Sequence, residues 1–323
     1  MNQILKLSVL ISIIFASGCK SDKHMNTDLK APSAEKQAKS LTIHNSTRID
    51  NYFWMRLTDE QKTAKKKDVQ TQKVEAYLNS ENEYFDKVTA STNNFQKELF
   101  EEMKGRIKED DTSVPYFRNN YFYITRFEKG SQYPIYSRKK ESLEVDEEIL
   151  FDVNQEAQEH EYFQLGALNV SPDNKLVAFA TDTVSRRQYT IQIKNLETGE
   201  LLTDKIENTT GGSVWSNDNK TLFYTKKDPL TLRSSSIYRH ILGTDASEDV
   251  IVFEEKDETY STYVYKTKSH KFIVIGSSST LSSEFRIISA DKPYGDWRVI
   301  QPREDNLEYS LAHYGDYFYI QTN

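Results

Sequence analysis

Two nearly identical turns divide the second half of the chain into units of one length. Residues 171–175 read SPDNK and residues 216–220 read SNDNK, and a short apolar run follows each of them. A propeller blade of four short strands has a length of about 45 to 50 residues, and a β-sandwich would not repeat one turn in every unit. Phe179, Tyr224, Ile273 and Tyr319 hold equivalent positions in four successive apolar runs and follow one another at that spacing. The sequence therefore predicts an all-β fold, a β-propeller.

Pairs of strands fill these units. After Pro115, short alternating runs of Tyr, Phe, Val, Ile and Thr predominate, which is typical of strands. They predict four hairpins: 121–125 with 134–137, 176–180 with 189–193, 222–225 with 236–239, and 272–275 with 285–288. Residues 109–323 are thus predicted to form a partial propeller of about four blades, with 317–320 as the opening strand of a fifth. We find no partner for that strand, and an unpaired edge favours aggregation. We therefore expect the chain to be a fragment that continues beyond Asn323.

Residues 43–108 are predicted to form a helical N-terminal extension. Apolar residues recur at helical spacing over 71–108, in two stretches separated by a polar break. Thr89, Ser91 or Thr92 in that break could cap the N-terminus of the second helix with its hydroxyl. The extension is therefore expected to contain two amphipathic helices.

The first 42 residues are predicted to be a leader and a tether. The apolar run 9–15 is too short to span a bilayer and suits the core of a signal peptide, assigned to residues 1–18. Residues 16–19 read ASGC, which resembles a bacterial lipobox, so Cys19, the only cysteine, is the predicted lipidation site. Residues 19–42 would form the polar tether of a lipoprotein, with the membrane as a partner through its lipid; an ordinary secreted protein is the alternative. Both alternatives place the protein in the bacterial cell envelope, lipid-anchored or periplasmic/secreted.

The charge balance argues against a nucleic-acid partner. The 42 Lys and Arg residues are interleaved with 49 acidic residues, giving a net charge of −7 and no basic stripe that could follow a phosphate backbone. This net charge predicts a weak long-range attraction for cationic peptides, screened at physiological salt.

No constellation of catalytic or metal-binding residues is visible in the sequence. The nearest approach to a Gly-x-Ser-x-Gly nucleophile elbow is 211–215 (GGSVW), which ends in Trp215 and precedes strands, so it is assigned to a propeller turn. The six histidines are dispersed without metal-ligand spacing. The acid pairs 110–111 and 147–148 are predicted to be solvated surface turns. We assign no catalytic, cofactor-binding or metal-binding residue.

Several segments resemble enzymes of the prolyl oligopeptidase family, in the same order and spacing. Residues 50–57 (DNYFWMRL) resemble the Asp-x-Tyr-x-Trp-Leu-Arg segment that opens these enzymes, and 74–82 (VEAYLNSEN) resemble their Tyr-Leu-x-x-Glu-Asn helix. Residues 99–108 (LFEEMKGRIK) resemble the oligopeptidase B branch in particular, and 113–116 (SVPY) and 132–136 (QYPIY) continue the match. Essentially the whole chain after the tether is covered.

The resemblance implies a propeller of seven blades, of which four to five are represented here. It also implies a C-terminal α/β-hydrolase domain with a Ser-Asp-His triad, absent from this sequence, which would be the chain's own partner. The expected activity is that of a serine-type endopeptidase that hydrolyses short peptides after Arg or Lys, while the propeller excludes folded proteins. Apolar faces such as Tyr77, Tyr84 and Phe85 would contact the hydrolase domain or else close a local core. This chain alone is expected to be inactive and to use no cofactor.

The sequence is also compatible with a binding protein that has no catalytic activity. A propeller lipoprotein without a catalytic half could bind a partner or a glycan. A longer reading frame would separate the two, because an oligopeptidase should continue into further blades and a Gly-x-Ser-x-Gly elbow.

Overall fold

A computed structural model describes residues 29–323 and divides the chain into two compact units, Met1–Ile107 and Lys108–Asn323. The predicted signal peptide, Cys19 and the first part of the predicted tether lie outside the described residues, so the leader and the lipidation stay predictions. In the part that is described, no helix is long and apolar enough to cross a membrane.

The first unit combines a hairpin with helices. Strand β1 begins inside the stretch assigned to the tether, so ordered structure starts before residue 43. The elements are β1 (Lys39–Ile43), β2 (Ser46–Asp50), a 3-10 turn (Phe53–Met55), α1 (Asp59–Thr63), α2 (Val69–Thr89), a 3-10 turn (Ala90–Thr92) and α3 (Asn93–Gly105). The two predicted helices are therefore confirmed as α2 and α3.

The predicted hydroxyl cap of α3 is not formed. Thr92 occupies the N-cap position, but its hydroxyl donates to the Thr89 carbonyl and accepts from Gln96. The 3-10 turn leads into α3 with helical dihedral angles, so the chain enters the helix without a capping side chain. By contrast, α2 begins at a capped end, where the Asp68 carboxylate accepts from the Thr71 amide.

The local-core alternative for the apolar faces holds for Tyr77, whereas contact with a hydrolase domain stays a prediction. Tyr77 packs edge-on against Trp54 and donates its hydroxyl to Glu81, so it belongs to a local core. Phe85 is 63% exposed. Exposed apolar side chains continue along α3, namely Phe95, Leu99, Phe100 and Met103.

The second unit consists of four complete blades and one further hairpin, which confirms the propeller. Blade 1 has β3 (Asp111–Thr112), β4 (Tyr116–Arg118), β5 (Tyr121–Phe127), β6 (Ile135–Lys140) and β7 (Glu148–Asp152). Helix α4 (Val153–Glu156) and a 3-10 turn (Ala157–Glu159) lead to blade 2, with β8 (Gln164–Val170), β9 (Leu176–Asp182) and β10 (Tyr189–Asn195). Strand β11 (Leu201–Trp215) then serves blades 2 and 3. Blade 3 continues with β12 (Thr221–Lys227), β13 (Ser234–Ile241), a 3-10 turn (Ala246–Glu248) and β14 (Val250–Glu254). Blade 4 has β15 (Ser261–Lys266), β16 (Phe272–Ser278), β17 (Ser283–Ser289) and β18 (Arg298–Val299), and the last hairpin has β19 (Tyr309–Tyr314) and β20 (Tyr317–Thr322). All four predicted hairpins are present as antiparallel pairs.

The prediction that the last strand lacks a partner was wrong. Strand β20 pairs with β19 across a two-residue turn, with Tyr314 opposite Tyr317 and Gly315 at φ +60°. Strand β19 alternates buried and exposed positions, but its third buried side chain is His313, so the apolar alternation is hidden in the sequence. The fifth unit is therefore represented by a complete hairpin.

The hydrophobic core lies between neighbouring blades. Each blade buries one sheet face against the next, which is how a propeller removes apolar surface from water without closing a barrel. Blades 2 and 3 enclose Ile191, Ile193, Ile206, Trp215, Leu222 and Tyr224. Blades 3 and 4 enclose Val214, Phe223, Ile273 and Ile288. Blade 4 and the last hairpin enclose Val274, Phe285, Ile287, Tyr309 and Leu311.

Gly211 lets the single strand β11 pass from blade 2 to blade 3. Its φ is +89°, and a Cβ there would lie 2.8 Å from Cγ of the buried Tyr189 ring. Replacing Gly211 with alanine should lower the free energy of unfolding by about 2–4 kcal/mol, because backbone strain and overpacking act together. Urea denaturation would measure this loss. Gly212→Ala is the matched control, since its Cβ would meet only the Thr210 hydroxyl at 3.9 Å; equal losses in the two variants would contradict the explanation.

Candidate functional site

Strand β4 of blade 1 and the first strands of blades 2, 3 and 4 line a central cavity of about 740 Å³. Strands β4, β8 and β15 and the second half of β11 form its wall, near the points where they turn into the second strands. The side chains around it are Tyr116, Phe117, Arg118, Asn119, Asn169, Val170, Pro172, Ser213, Val214, Trp215, Val264, Tyr265, Lys266, Lys268 and His270. A cavity of this size suits a ligand of a few residues.

Repeated turns hold the ends of these strands in place. In the turn after β8, the Ser171 hydroxyl accepts from the Leu176 amide, and Asn174 takes φ +65°. A third copy, not recognised in the sequence, follows β15: Thr267 accepts from the Phe272 amide, and His270 takes φ +60°. Each turn needs a left-handed residue four positions after the strand end, and histidine fills that place in the third copy where asparagine fills it in the others.

The cavity wall is cationic. Arg118, Lys266, Lys268 and His270 line it, and within residues 29–323 no carboxylate does. This local charge is opposite in sign to the net charge of −7. The guanidinium of Arg118 has no hydrogen bond or ion pair within the same range, and it remains half-buried.

Lys266 is held by oxygen atoms of blade 3. Its Nζ donates to the Trp215 carbonyl at 2.9 Å and to Asn217 Oδ1 at 2.6 Å. Burial and the neighbouring Arg118 charge lower the pKa of Lys266 to about 8, against the weaker attraction of Asp291 and Asp218. Burial and the charges of Arg118 and Lys266 likewise lower the pKa of His270. The cationic groups are therefore close enough to disfavour one another.

The near-match to a nucleophile elbow is a strand and not the propeller turn that the sequence predicted, although it is no elbow either way. Residues 211–215 form the second half of β11, where Ser213 pairs with Tyr224 and accepts at its carbonyl from Asn169. No hydrogen bond joins the Ser213 hydroxyl to a histidine in the described part of the chain. Ser213 is therefore a wall residue and has no general base.

The acid pair 147–148 is not a solvated turn, which corrects the sequence prediction, whereas Asp110 and Asp111 are exposed as predicted. Glu148 forms a two-pronged ion pair with Arg138, at 2.7 and 2.8 Å, and the Arg138 side chain is only 3% exposed. Glu147 binds Arg126 at 3.0 Å, and Asp111 binds Lys108 at 3.0 Å. Glu147 and Glu148 are therefore held by arginines that are largely buried, and the Lys108–Asp111 pair lies on the surface.

The structure contains a serine–histidine pair that the sequence did not predict. His313 Nδ1 lies 2.8 Å from the Ser269 hydroxyl, although the two residues are distant in the chain. The His313 ring packs edge-on against Phe272 and Phe318, and no carboxylate orients it within the described residues. The pair anchors the third turn to the last hairpin. Residues 29–323 also contain no group of three His, Cys, Asp or Glu side chains that could hold a metal ion.

Fold and site together define a propeller domain with an axial cationic cavity and, over the described residues, no nucleophile, base and acid in contact. The chain belongs to the prolyl oligopeptidase family: the model of its N-terminal beta-propeller domain matches residues 32–323. The resemblance seen in the sequence is confirmed.

Relatives agree with this assignment. Dipeptidyl aminopeptidase BI of Pseudoxanthomonas mexicana is 41% identical over 87% of this chain and 39% of its own length. Protease 2 of Moraxella lacunata is 31% identical over 91% of this chain and 42% of its own length. The structure of oligopeptidase B from Leishmania major matches with a TM-score of 0.79 and 30% identity, over 92% of this chain and 43% of that protein. The chain therefore spans about two fifths of the length of these relatives.

Proposed function

We propose that this chain is the propeller portion of a serine peptidase that hydrolyses short peptides, with its nucleophile in a following hydrolase domain. The observation that carries the proposal is the family match over residues 32–323, combined with the lack of any triad in the described part of the chain. The relatives are peptidases more than twice as long as the matched segment.

The propeller would act as a size filter. A cavity of about 740 Å³ admits an extended segment of a few residues but not a folded domain. The core between the blades ties each wall strand to its neighbours, so widening the cavity would expose buried apolar surface. Peptides short and flexible enough to enter would therefore be the substrates.

Cleavage after Arg or Lys is the specificity we propose first, because oligopeptidase B is among the structural matches. The name of the 41% identical relative supports a second candidate, removal of dipeptides from a free N-terminus. The two differ in whether a blocked N-terminus is tolerated.

The reading frame extended beyond Asn323 should yield a protein that hydrolyses chromogenic peptides, whereas the 323-residue chain should show no turnover above buffer. A blocked arginyl p-nitroanilide tests endopeptidase action, and a free dipeptidyl p-nitroanilide tests dipeptide removal, with release followed by absorbance. A serine-directed fluorophosphonate probe should label the extended protein and not the 323-residue chain. Turnover or labelling by the chain alone would overturn the proposal, and a longer protein inert to both substrates would favour a binding propeller.

A further inference from the structure

We propose that the central cavity contains a carboxylate-binding subsite, formed by Arg118 and Lys266, which holds the C-terminal or side-chain carboxylate of a short peptide. The identification of the ligand as a peptide rests on the proposed function. The subsite itself rests on the geometry of the cavity.

The first support is the imbalance of charge in the wall. Arg118, two lysines and one histidine line the cavity, and no carboxylate of residues 29–323 is among the lining residues. Lys268 is exposed, but Arg118, Lys266 and His270 are partly buried, and gathering like charges there raises the free energy of the protein unless an anion compensates them. This occurs in a chain whose net charge is −7, so acidic residues are plentiful elsewhere.

The second support is that Asp218 and Asp291, the acids whose charges act on Lys266, bind other groups. The Asp218 carboxylate accepts from the Thr221 amide and hydroxyl in the turn after β11. Asp291 Oδ1 accepts from the Asn217 side chain at 2.7 Å. Neither carboxylate forms an ion pair with Lys266, whose Nζ is instead positioned by neutral oxygens. The cations of the cavity wall thus have no counter-ion among residues 29–323.

The third support is the chemistry of the donors and of the wall. A guanidinium offers two parallel N–H groups that match a carboxylate, and a neighbouring ammonium adds a third donor. Tyr116, Trp215 and Tyr265 supply apolar surface on the same cavity. A carboxylate attached to a peptide uses both features, whereas inorganic phosphate would use only the charges.

Equilibrium binding to the 323-residue chain tests the subsite without requiring hydrolysis. The probes are the peptide Ala-Phe-Ala, its C-terminal amide, Ala-Phe-Glu amide and inorganic phosphate, measured by calorimetry at low salt. We expect the amide of Ala-Phe-Ala to bind at least tenfold more weakly than either peptide with a carboxylate, and phosphate to bind more weakly than both. Arg118→Gln and Lys266→Gln should each weaken the carboxylate peptides about tenfold or more.

Lys175→Gln is the matched control, because this exposed lysine lies in the turn after β8 but does not line the cavity. It should change affinity less than twofold, and thermal unfolding should confirm that all variants are folded. The affinity for carboxylate peptides should also fall between pH 7 and 9, because Lys266 loses its proton in this range. The other titratable or charged groups that act on this lysine are Arg118, His270, Asp218 and Asp291. The pH dependence should vanish in Lys266→Gln. Equal binding of acid and amide, tighter binding of phosphate, or equal effects of Lys175→Gln and Arg118→Gln would overturn the subsite. A failure of hydrolysis in the extended protein would bear on the proposed function and leave these binding results unaffected.

Discussion

Replacing His240 with alanine should lower the free energy of unfolding by about 3–5 kcal/mol, because it leaves two buried carboxylates without a counter-charge. His240 on β13 is fully buried between Asp249, 2.7 Å from Nδ1, and Asp204, 2.9 Å from Nε2. Asp249 also accepts from the Tyr224 hydroxyl at 2.8 Å, and Asp204 accepts from the Gly243 amide. These hydrogen-bonded side chains form a charged array that joins blade 3 to the half of β11 that belongs to blade 2. Urea denaturation near pH 6 would measure the loss.

The loss should depend on pH in a defined direction. Burial disfavours the charged ring, but the hydrogen bonds and charges of Asp249 and Asp204 outweigh it and raise the pKa of His240 above its ordinary value of 6.5. A group with a raised pKa contributes its stability fully below the unfolded value and loses it as pH rises through the folded value. The difference between the wild type and His240→Ala should therefore be largest near pH 6 and decrease at alkaline pH.

His313→Ala provides the control for this experiment. His313 is also buried, but its hydrogen-bond partner is the Ser269 hydroxyl and not a pair of carboxylates. Its loss removes the same atoms without leaving unpaired charge, so the effect should be smaller, about 1–3 kcal/mol. If the two alanine variants lose equal stability, or if the His240→Ala difference does not change with pH, the charged array is not what stabilises this junction.

The strand pattern could be predicted from the sequence because local residues determine it. Strand β16, for example, is a run of apolar residues after a turn, and its burial is nearly continuous as expected between two blades. The near copies SPDNK and SNDNK mark the blade length because both use the left-handed tolerance of asparagine. Strand β19 was missed because His313 occupies a buried position that a sequence pattern counts as polar.

The site could not be predicted, because its members are ordinary in their own surroundings. Arg118 ends a three-residue strand and Lys266 ends the first strand of blade 4, and nothing in either segment points to the other. Only the radial arrangement of blades brings the ends of their first strands around one cavity. The same holds for Asp204 and His240, whose pairing depends on the passage of β11 between two blades. The net negative charge concealed a cationic cavity because net charge carries no position.

Replacing Arg303 with methionine should also lower the free energy of unfolding by about 3–5 kcal/mol, as measured by urea denaturation at neutral pH. Its guanidinium binds Glu255 at 2.7 and 3.3 Å, lies 3.6 Å from Glu284, and stacks 3.6 Å above the Tyr260 ring. Glu255 follows blade 3, Glu284 lies in blade 4, and Arg303 lies in the loop that leads to β19. Methionine keeps the stem but leaves two nearly buried carboxylates without this partner.

This loss should have the opposite pH dependence to that of His240. Burial favours the neutral carboxyl group, but the bonds from Arg303, the Asp257 amide and Ser277 outweigh it and lower the pKa of Glu255. Stability from a lowered pKa is present above the ordinary value of 4.5 and is lost as pH falls through the folded value. The difference between the wild type and Arg303→Met should therefore shrink in acid.

Arg298→Met is the control, because Arg298 is exposed on β18 and should change stability by less than about 0.5 kcal/mol. A loss as large in Arg298→Met, or a difference that grows in acid, would show that Arg303 does not stabilise this junction through Glu255.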